Sequence, residues 1–276
     1  MTAQPVAIPE RDRRQALSWR LLPGVLLSVS GVLLYGFGTD LGGYGALAAA
    51  LVTAAVIDRR LFKDLVLIAA GMIIISAVPL DSDISIGHMA QMGSALALAV
   101  LVPYAVSRWV YHDHAVRFPV NTGQRWSRAE RLYLVFIVAL GYAILPFYMI
   151  STGVYQNWPN VSEPDAMIRL FIGVNAVGIW DELFFVCTTF TLLRRHFPDW
   201  LANVLQAFVF SSFLWELGYH AWGPLLTYPF ALLQGYTFKR TKSLTYVVSV
   251  HLLFDLVLFL VLVHAHNRQW LDFFVY

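Results

Sequence analysis

The chain alternates apolar blocks about as long as a bilayer is thick with short polar connections, and it lacks the one-sided stripes of soluble helices. The blocks fall at about residues 19–38, 41–57, 65–80, 88–110, 132–150, 166–193, 201–219, 224–238 and 245–265. They predict an all-α fold, a polytopic membrane bundle of about eight to nine transmembrane helices. The blocks at 41–57, 65–80 and 224–238 are short, which is compatible with a re-entrant or strongly tilted segment. A transmembrane barrel would need dyad alternation in short segments, and that is absent.

Composition strengthens this reading. Of the 276 residues, 58% are hydrophobic and 13% charged, against roughly a quarter charged in soluble domains. A net charge of +2 gives no reason to expect a nucleic-acid partner. The placement of charge is more informative. Lysine and arginine crowd the leader (Arg11, Arg13, Arg14, Arg20), the loops with Arg59, Arg60 and Lys63 and with Arg108 to Arg131, the pair Arg194–Arg195, and the cluster Lys239, Arg240 and Lys242. The alternate connections "PLDSDISIGH", "STGVYQNWPNVSEPD" and "AWGP" hold neither residue. By the positive-inside rule the N-terminus is expected in the cytoplasm and the C-terminus on the far side. Residues 1–18 then form a cytoplasmic leader running into an uncleaved first span. Residues 19–110 form the N-terminal membrane helices, 111–131 a cytoplasmic loop and 132–276 a second membrane unit.

The first four blocks hold almost nothing ionisable, so any chemistry belongs to the second half. There, "GIWDELFFVCTTF" sets Asp181 and Glu182 in an otherwise apolar run, "ELGYH" holds Glu216 and His220, and "HLLFD" holds His251 and Asp255. Intramembrane ionisable groups are expensive and therefore functional candidates. The spacing of four residues predicts that each acid–histidine pair shares a helical face. A single such pair has a simpler explanation, an interhelical hydrogen bond worth about 1 kcal/mol. Three clusters on neighbouring helices favour a shared site. Cys187, the sole cysteine, reads as a small core residue.

Carboxylates and histidines without a nucleophilic serine or cysteine can deprotonate a water and hold a developing oxyanion. Alternatively, Glu182, His220 and His251 could ligate a divalent metal ion such as zinc. The metalloprotease pattern H-E-x-x-H and the nucleophile elbow G-x-S-x-G are both absent. The two halves show no internal repeat of the kind common in transporters.

Over about residues 166–265 the chain resembles the CAAX protease and bacteriocin-processing (CPBP, or Abi) family of intramembrane endopeptidases. The family's E-E-x-x-x-R is matched by "DELFFV" at Asp181–Val186, its F-x-x-x-H by "ELGYH" ending at His220, and its H-x-x-x-[N/D] by "HLLFD" at His251–Asp255. The segment "LLQGYTFKRTKSLTYVVSVHLLFD" is similar in layout. The resemblance implies a CPBP-like catalytic core in the second half and catalytic roles for Asp181, Glu182, Glu216, His220, His251 and Asp255. Asp181, assisted by His220, would activate water, Glu182 would be the second acid, and His251 and Asp255 would stabilise the oxyanion. It also implies a membrane-associated peptide or protein substrate and a home in a bacterial cytoplasmic membrane. The chain departs from the motifs in Asp181 for the first glutamate, Val186 for the arginine and Glu216 for the phenylalanine. The expected function is peptide-bond hydrolysis by carboxylate- and histidine-activated water. The alternative is a catalytically inactive relative that binds a membrane partner.

Overall fold

The structure is a computed structural model that describes residues 10–120, 122–123 and 125–276, with side chains from Trp19 onward. The first nine residues of the expected leader lie outside the described residues. The described residues form an all-helical bundle without strands. Its α-helices are α1 (Glu10–Gly31), α2 (Asp40–Ile57), α3 (Arg59–Ser76), α4 (Ile86–Ala105), α5 (Arg128–Thr152), α6 (Pro164–Asp181), the short α7 (Thr191–Leu193), α8 (Asp199–Glu216), α9 (Pro224–Thr241) and α10 (Leu244–His266). Widened π-helical stretches extend α1 over Val32–Gly36 and α4 over Val106–Val110, and a nine-residue stretch, Glu182–Phe190, joins α6 to α7.

Each expected apolar block therefore appears as one continuous rod. Among the described residues six rods are long and apolar enough to cross a membrane: Trp19–Gly36, Asp40–Ile57, Ile86–Val110, Arg128–Thr152, Pro164–Leu193 and Leu244–His266. The protein is an integral membrane protein. The remaining three, α3, α8 and α9, have 18 residues each, or about 27 Å at 1.5 Å per residue. They carry polar groups such as Arg59, Lys63 and Asp64 on α3, Asn203 and Gln206 on α8, and Gln234 on α9. Much of their surface is covered by neighbouring helices, so packing rather than apolarity holds them.

Local chemistry sets the rod ends. Asp58, the single residue between α2 and α3, accepts from the N–H groups of Arg60 (2.8 Å) and Leu61 (3.4 Å) as an N-cap. Arg20 of α1 pairs with the same carboxylate at 2.7 Å. Burial pushes this carboxyl up, but the Arg60 N–H, the Arg20 guanidinium and the Leu61 N–H together hold it below the usual carboxylate range. Ser127 and Glu130 form a capping box at the start of α5. Ser85 caps α4 and Ser243 caps α10.

Two faces emerge. At the basic face, buried Asp64 of α3 meets Arg195 at 2.8 Å and His196 at 2.6 Å, and Arg195 also reaches Asp113 at 2.8 Å. This network ties the first four rods to the end of the α6–α7 rod. On the same face Lys239 of α9 bonds Asp199 of α8 at 2.9 Å. At the opposite face the connections meet one another: Ser82 Oγ donates to the Asn157 carbonyl, Asn157 Nδ2 to the Gly218 carbonyl at 2.7 Å, and the Tyr148 hydroxyl to the His220 carbonyl at 2.7 Å. In the interior, α6 packs on α10, α10 on α5, and α8 on both α1 and α9.

Candidate active site

The site begins where the α6 rod widens. An α-helix hydrogen-bonds to the fourth residue back, whereas Glu182–Phe190 bonds to the fifth, a form concentrated at functional sites. Two hydroxyls support the widened turns: Thr188 Oγ1 donates to the Leu183 carbonyl (2.9 Å) and Thr191 Oγ1 to the Val186 carbonyl (3.2 Å), each five residues back. Around the acids, aromatic rings lock the rod in place. Trp180 stacks on Phe184 at 5.1 Å, and Phe185 stacks on Phe210 of α8 at 4.5 Å. Trp180 Nε1 also donates to the Leu96 carbonyl of α4 at 2.7 Å. Gly71 of α3 leaves the space that Phe184 fills, since a methyl group there would strike its ring.

Asp181 and Glu182 are 1% and 0% exposed, yet they face different company. Glu182 Oε1 lies 2.7 Å from His251 Nδ1 and accepts from Gln234 Nε2 at 2.6 Å. Gln234 Nε2 also reaches the Val247 carbonyl at 3.1 Å, which bridges α9 to α10 behind the site. The other imidazole nitrogen, Nε2, stands 3.8 Å from Asp181 Oδ2 and 3.8 Å from Asp255 Oδ1. Those gaps are too long for direct hydrogen bonds and suit a bridging water. Both Asp181 oxygens and Asp255 Oδ2 are buried without a protein partner among the described residues. Three carboxylates thus surround one imidazole, which can offset at most one of their charges.

His251 and Asp255 lie one turn apart on the buried face of α10. They reach α6 because Gly178 has no side chain, and a methyl group there would collide with the Asp255 carboxylate and crowd His251. Phe230 of α9 packs edge-on against the His251 ring at 4.9 Å.

His251, Asp255 and Asp181 form the floor of a cavity of about 140 Å³, room for several waters. Its walls are Met89, Met92 and Leu96 of α4, Leu170 and Val177 of α6, and Leu258 of α10, with Leu214, Leu217 and Tyr219 closing one side. Its mouth lies among Asp81, Ser82, Asp83 and Trp158 at the face opposite the basic loops.

Glu216 and His220 are placed elsewhere. Helix α8 ends at Glu216, and Gly218 follows with φ +113°, so "ELGYH" is a helix end and turn, not the shared helical face its spacing predicted. Glu216 is exposed, while half-buried His220 bonds Asn157 Nδ2 through Nδ1 at 3.1 Å and packs on Trp215. The α8 residue that lines the cavity with His251 and Asp255 is Leu214, and Phe210, four positions earlier, packs near the His251 ring at 6.2 Å. Phe210 and Leu214, four residues apart on α8, thus stand beside the His251 site where Glu216 and His220 do not. Val186, in the arginine position, is fully buried in the core.

The geometry also bears on a metal ion. Glu182 Oε1 is already engaged by Gln234 and His251, and His220 is turned toward Asn157. Among the described residues no three histidine, cysteine, aspartate or glutamate side chains converge as metal ligands. The expected set Glu182, His220 and His251 is therefore not assembled.

Gln234, a neutral amide, carries no charge to mark it among the candidate residues. Its signal was an amide within the apolar run "FALLQGY". Tyr219, on the cavity wall, gave no sequence signal.

Comparison with curated proteins and with solved structures returned no match. Residues 163–257, a segment holding both acids of "DELFFV" and both residues of the α10 pair, match the family model described as type II CAAX prenyl endopeptidase, Rce1-like, so over this segment the chain carries the sequence pattern of the CAAX endopeptidase family.

Proposed function

We propose that the protein is an intramembrane endopeptidase that hydrolyses a peptide bond of a membrane-associated substrate. The observation that carries this reading is the Glu182–His251 pair beneath Asp181 and Asp255, three of whose carboxylate oxygens are buried without a partner at the floor of the cavity. Glu182, steadied by Gln234, fixes the ring of His251 through Nδ1 and offsets the charge the imidazole gains on protonation. The His251 Nε2 atom, Asp181 and Asp255 then bound the place where a water would sit. Asp181, with no competing hydrogen bond, takes the proton as water attacks the scissile carbonyl. The imidazolium of His251 stabilises the oxyanion, and Asp181 passes the proton it took to the leaving amine. The apolar walls keep bulk water away, which strengthens each of these interactions. The family match supports the reaction class.

Co-expression with a library of membrane-tethered reporter peptides tests the reading. Fragments identified by mass spectrometry should appear with wild type and disappear with Glu182→Gln and His251→Ala. Equal fragment yields from all three would contradict it.

Leu214 and Val186 favour a second reading, a non-catalytic relative that uses the same cavity to hold a membrane segment. On that reading the reporters are retained in complexes but left uncut, and Glu182→Gln changes neither result.

A further inference from the structure

Every residue lining the main cavity lies between the Asp181–His251 level and the face opposite the basic loops. On α4 the lining runs from His88 to Leu96, on α6 from Leu170 to Asp181, and on α10 from His251 to Leu258. On the side of the basic face, the floor is sealed by the ring stack of Trp180, Phe184, Phe185 and Phe210 and by the Gln234–Glu182 bond. The lining among the described residues thus extends from the site towards one side of the bundle. By the distribution of lysine and arginine, that side is the non-cytoplasmic one.

The charge of this passage is also one-sided. Four aspartates line it, Asp81 and Asp83 at the mouth and Asp181 and Asp255 at the floor, and no lysine or arginine does. Two histidines complete the set: His88, 3.3 Å from Asp81, and His251. The arginines of this face are engaged beside it, Arg169 with Asp165 and Arg268 over the rings of Tyr155 and Tyr276. The floor aspartates are 1% and 4% exposed, line the cavity and lack protein partners for three of their four oxygens, so the passage is built to receive a polar group. A substrate ending in a free carboxylate would meet like charge along the whole route, whereas a cationic side chain would be drawn in.

From these observations we infer that the site is loaded from the non-cytoplasmic face by an extended, apolar peptide segment whose Lys or Arg side chain rests against Asp81 and Asp83. The inference deepens the endopeptidase reading and rests on it for the peptide nature of the ligand. Leu170 and Asp181 lie eleven positions apart on α6, a depth of about 16 Å at 1.5 Å per residue. An extended strand advances about 3.3 Å per residue, so about five residues would separate the cation from the bond at the floor.

Two measurements test this in the full-length protein. For sidedness, single-cysteine variants Ile84→Cys, at the mouth, and Arg125→Cys, on the basic face, are built on Cys187→Ser and treated with a membrane-impermeant maleimide. Ile84→Cys should label in right-side-out cells and Arg125→Cys only in inverted vesicles; the reverse pattern, or labelling of both from one side, overturns the inference. For charge, acetylated and amidated eight-residue Leu/Ala peptides carrying Lys, Gln or Glu near one end are bound to the Glu182→Gln protein in nanodiscs. Lys peptides should bind at least tenfold tighter than Glu peptides, and Asp81→Asn/Asp83→Asn should erase the difference. Gly173→Trp should block binding altogether, because Gly173 borders the cavity and a Cβ there meets nothing within 4 Å. Equal binding of Lys and Glu peptides, or binding unaffected by Gly173→Trp, overturns it. Since binding needs no turnover, Lys-selective binding without cleavage by wild type would sink the endopeptidase reading and leave the loading route standing. Cleavage indifferent to charge would do the reverse.

Discussion

Glu182 and Gln234 make the most consequential contact at the scale of single residues. Val186, one turn on from Glu182, is apolar and buried, and a neutral amide at 2.6 Å and an imidazole at 2.7 Å hold the carboxylate. A hydrogen bond to a charged group contributes about 1.5–3 kcal/mol. Replacing Gln234 by Leu removes that donor at nearly constant volume. Turnover of a reporter peptide should fall about tenfold or more, since 1.4 kcal/mol is a factor of ten, while peptide affinity stays within about twofold. Gln234→Glu should be worse than Gln234→Leu, because it places a second carboxylate against the first. A loss of affinity with unchanged turnover would assign Gln234 to substrate binding. The acids and His251 were legible in the sequence because a charge inside an apolar run is expensive and demands company. Gln234 was not, since an amide costs less to bury and marks no chemistry by itself. Which partner each acid takes, His251 and Gln234 for Glu182 and none for Asp181, depends on side-chain placement that no spacing encodes.

At the scale of elements, the nine apolar blocks were legible as nine rods because block length and loop polarity are local properties. Two features were not. The widening of the α6 rod over Glu182–Phe190 follows from tertiary fit, in which Trp180, Phe184 and Phe185 must all meet α3, α4 and α8. The apolar pattern carries α8 to 219, three residues past its end at Glu216, and so sets Glu216 and His220 on a helical face that does not exist. Leu217 and Gly218 carry the turn, and nothing in the apolar pattern marks it. The start of α8 gives a pH prediction. Asp199 accepts from Lys239 at 2.9 Å and from Arg194 at 3.1 Å. The Lys239 hydrogen bond foremost, with Arg194, holds this carboxyl below its ordinary value. A lowered folded-state pKa contributes stability above the unfolded value of about 3.9, and that stability is lost as the pH falls through the folded value. The pair is partly solvated, so about 1 kcal/mol is at stake. The melting temperature of detergent-solubilised protein should therefore exceed that of Asp199→Asn at pH 7, and the gap should close towards pH 3. A gap that stays constant over this range would remove the pair from the account.

The whole molecule places its chemistry between two unlike faces. The basic face is braced by the Asp64–Arg195–Asp113 and Asp199–Lys239 contacts, while the opposite face opens into an acidic passage that ends at Asp181, His251 and Asp255. The bundle and its charge asymmetry could be read from the sequence. The passage could not, since it is formed by α4, α6 and α10, distant in the chain, and by the loop at 81–84. The central claim is that the Glu182–His251 pair hydrolyses a peptide bond within this passage. Its most direct test is cleavage of a membrane-tethered fluorogenic peptide by purified protein in nanodiscs, comparing wild type with Glu182→Gln and His251→Ala at equal thermal stability. The account predicts cleavage by wild type and a loss of at least about 100-fold in each variant. Cleavage at undiminished rates by either variant, or no cleavage by wild type of peptides it demonstrably binds, would contradict it.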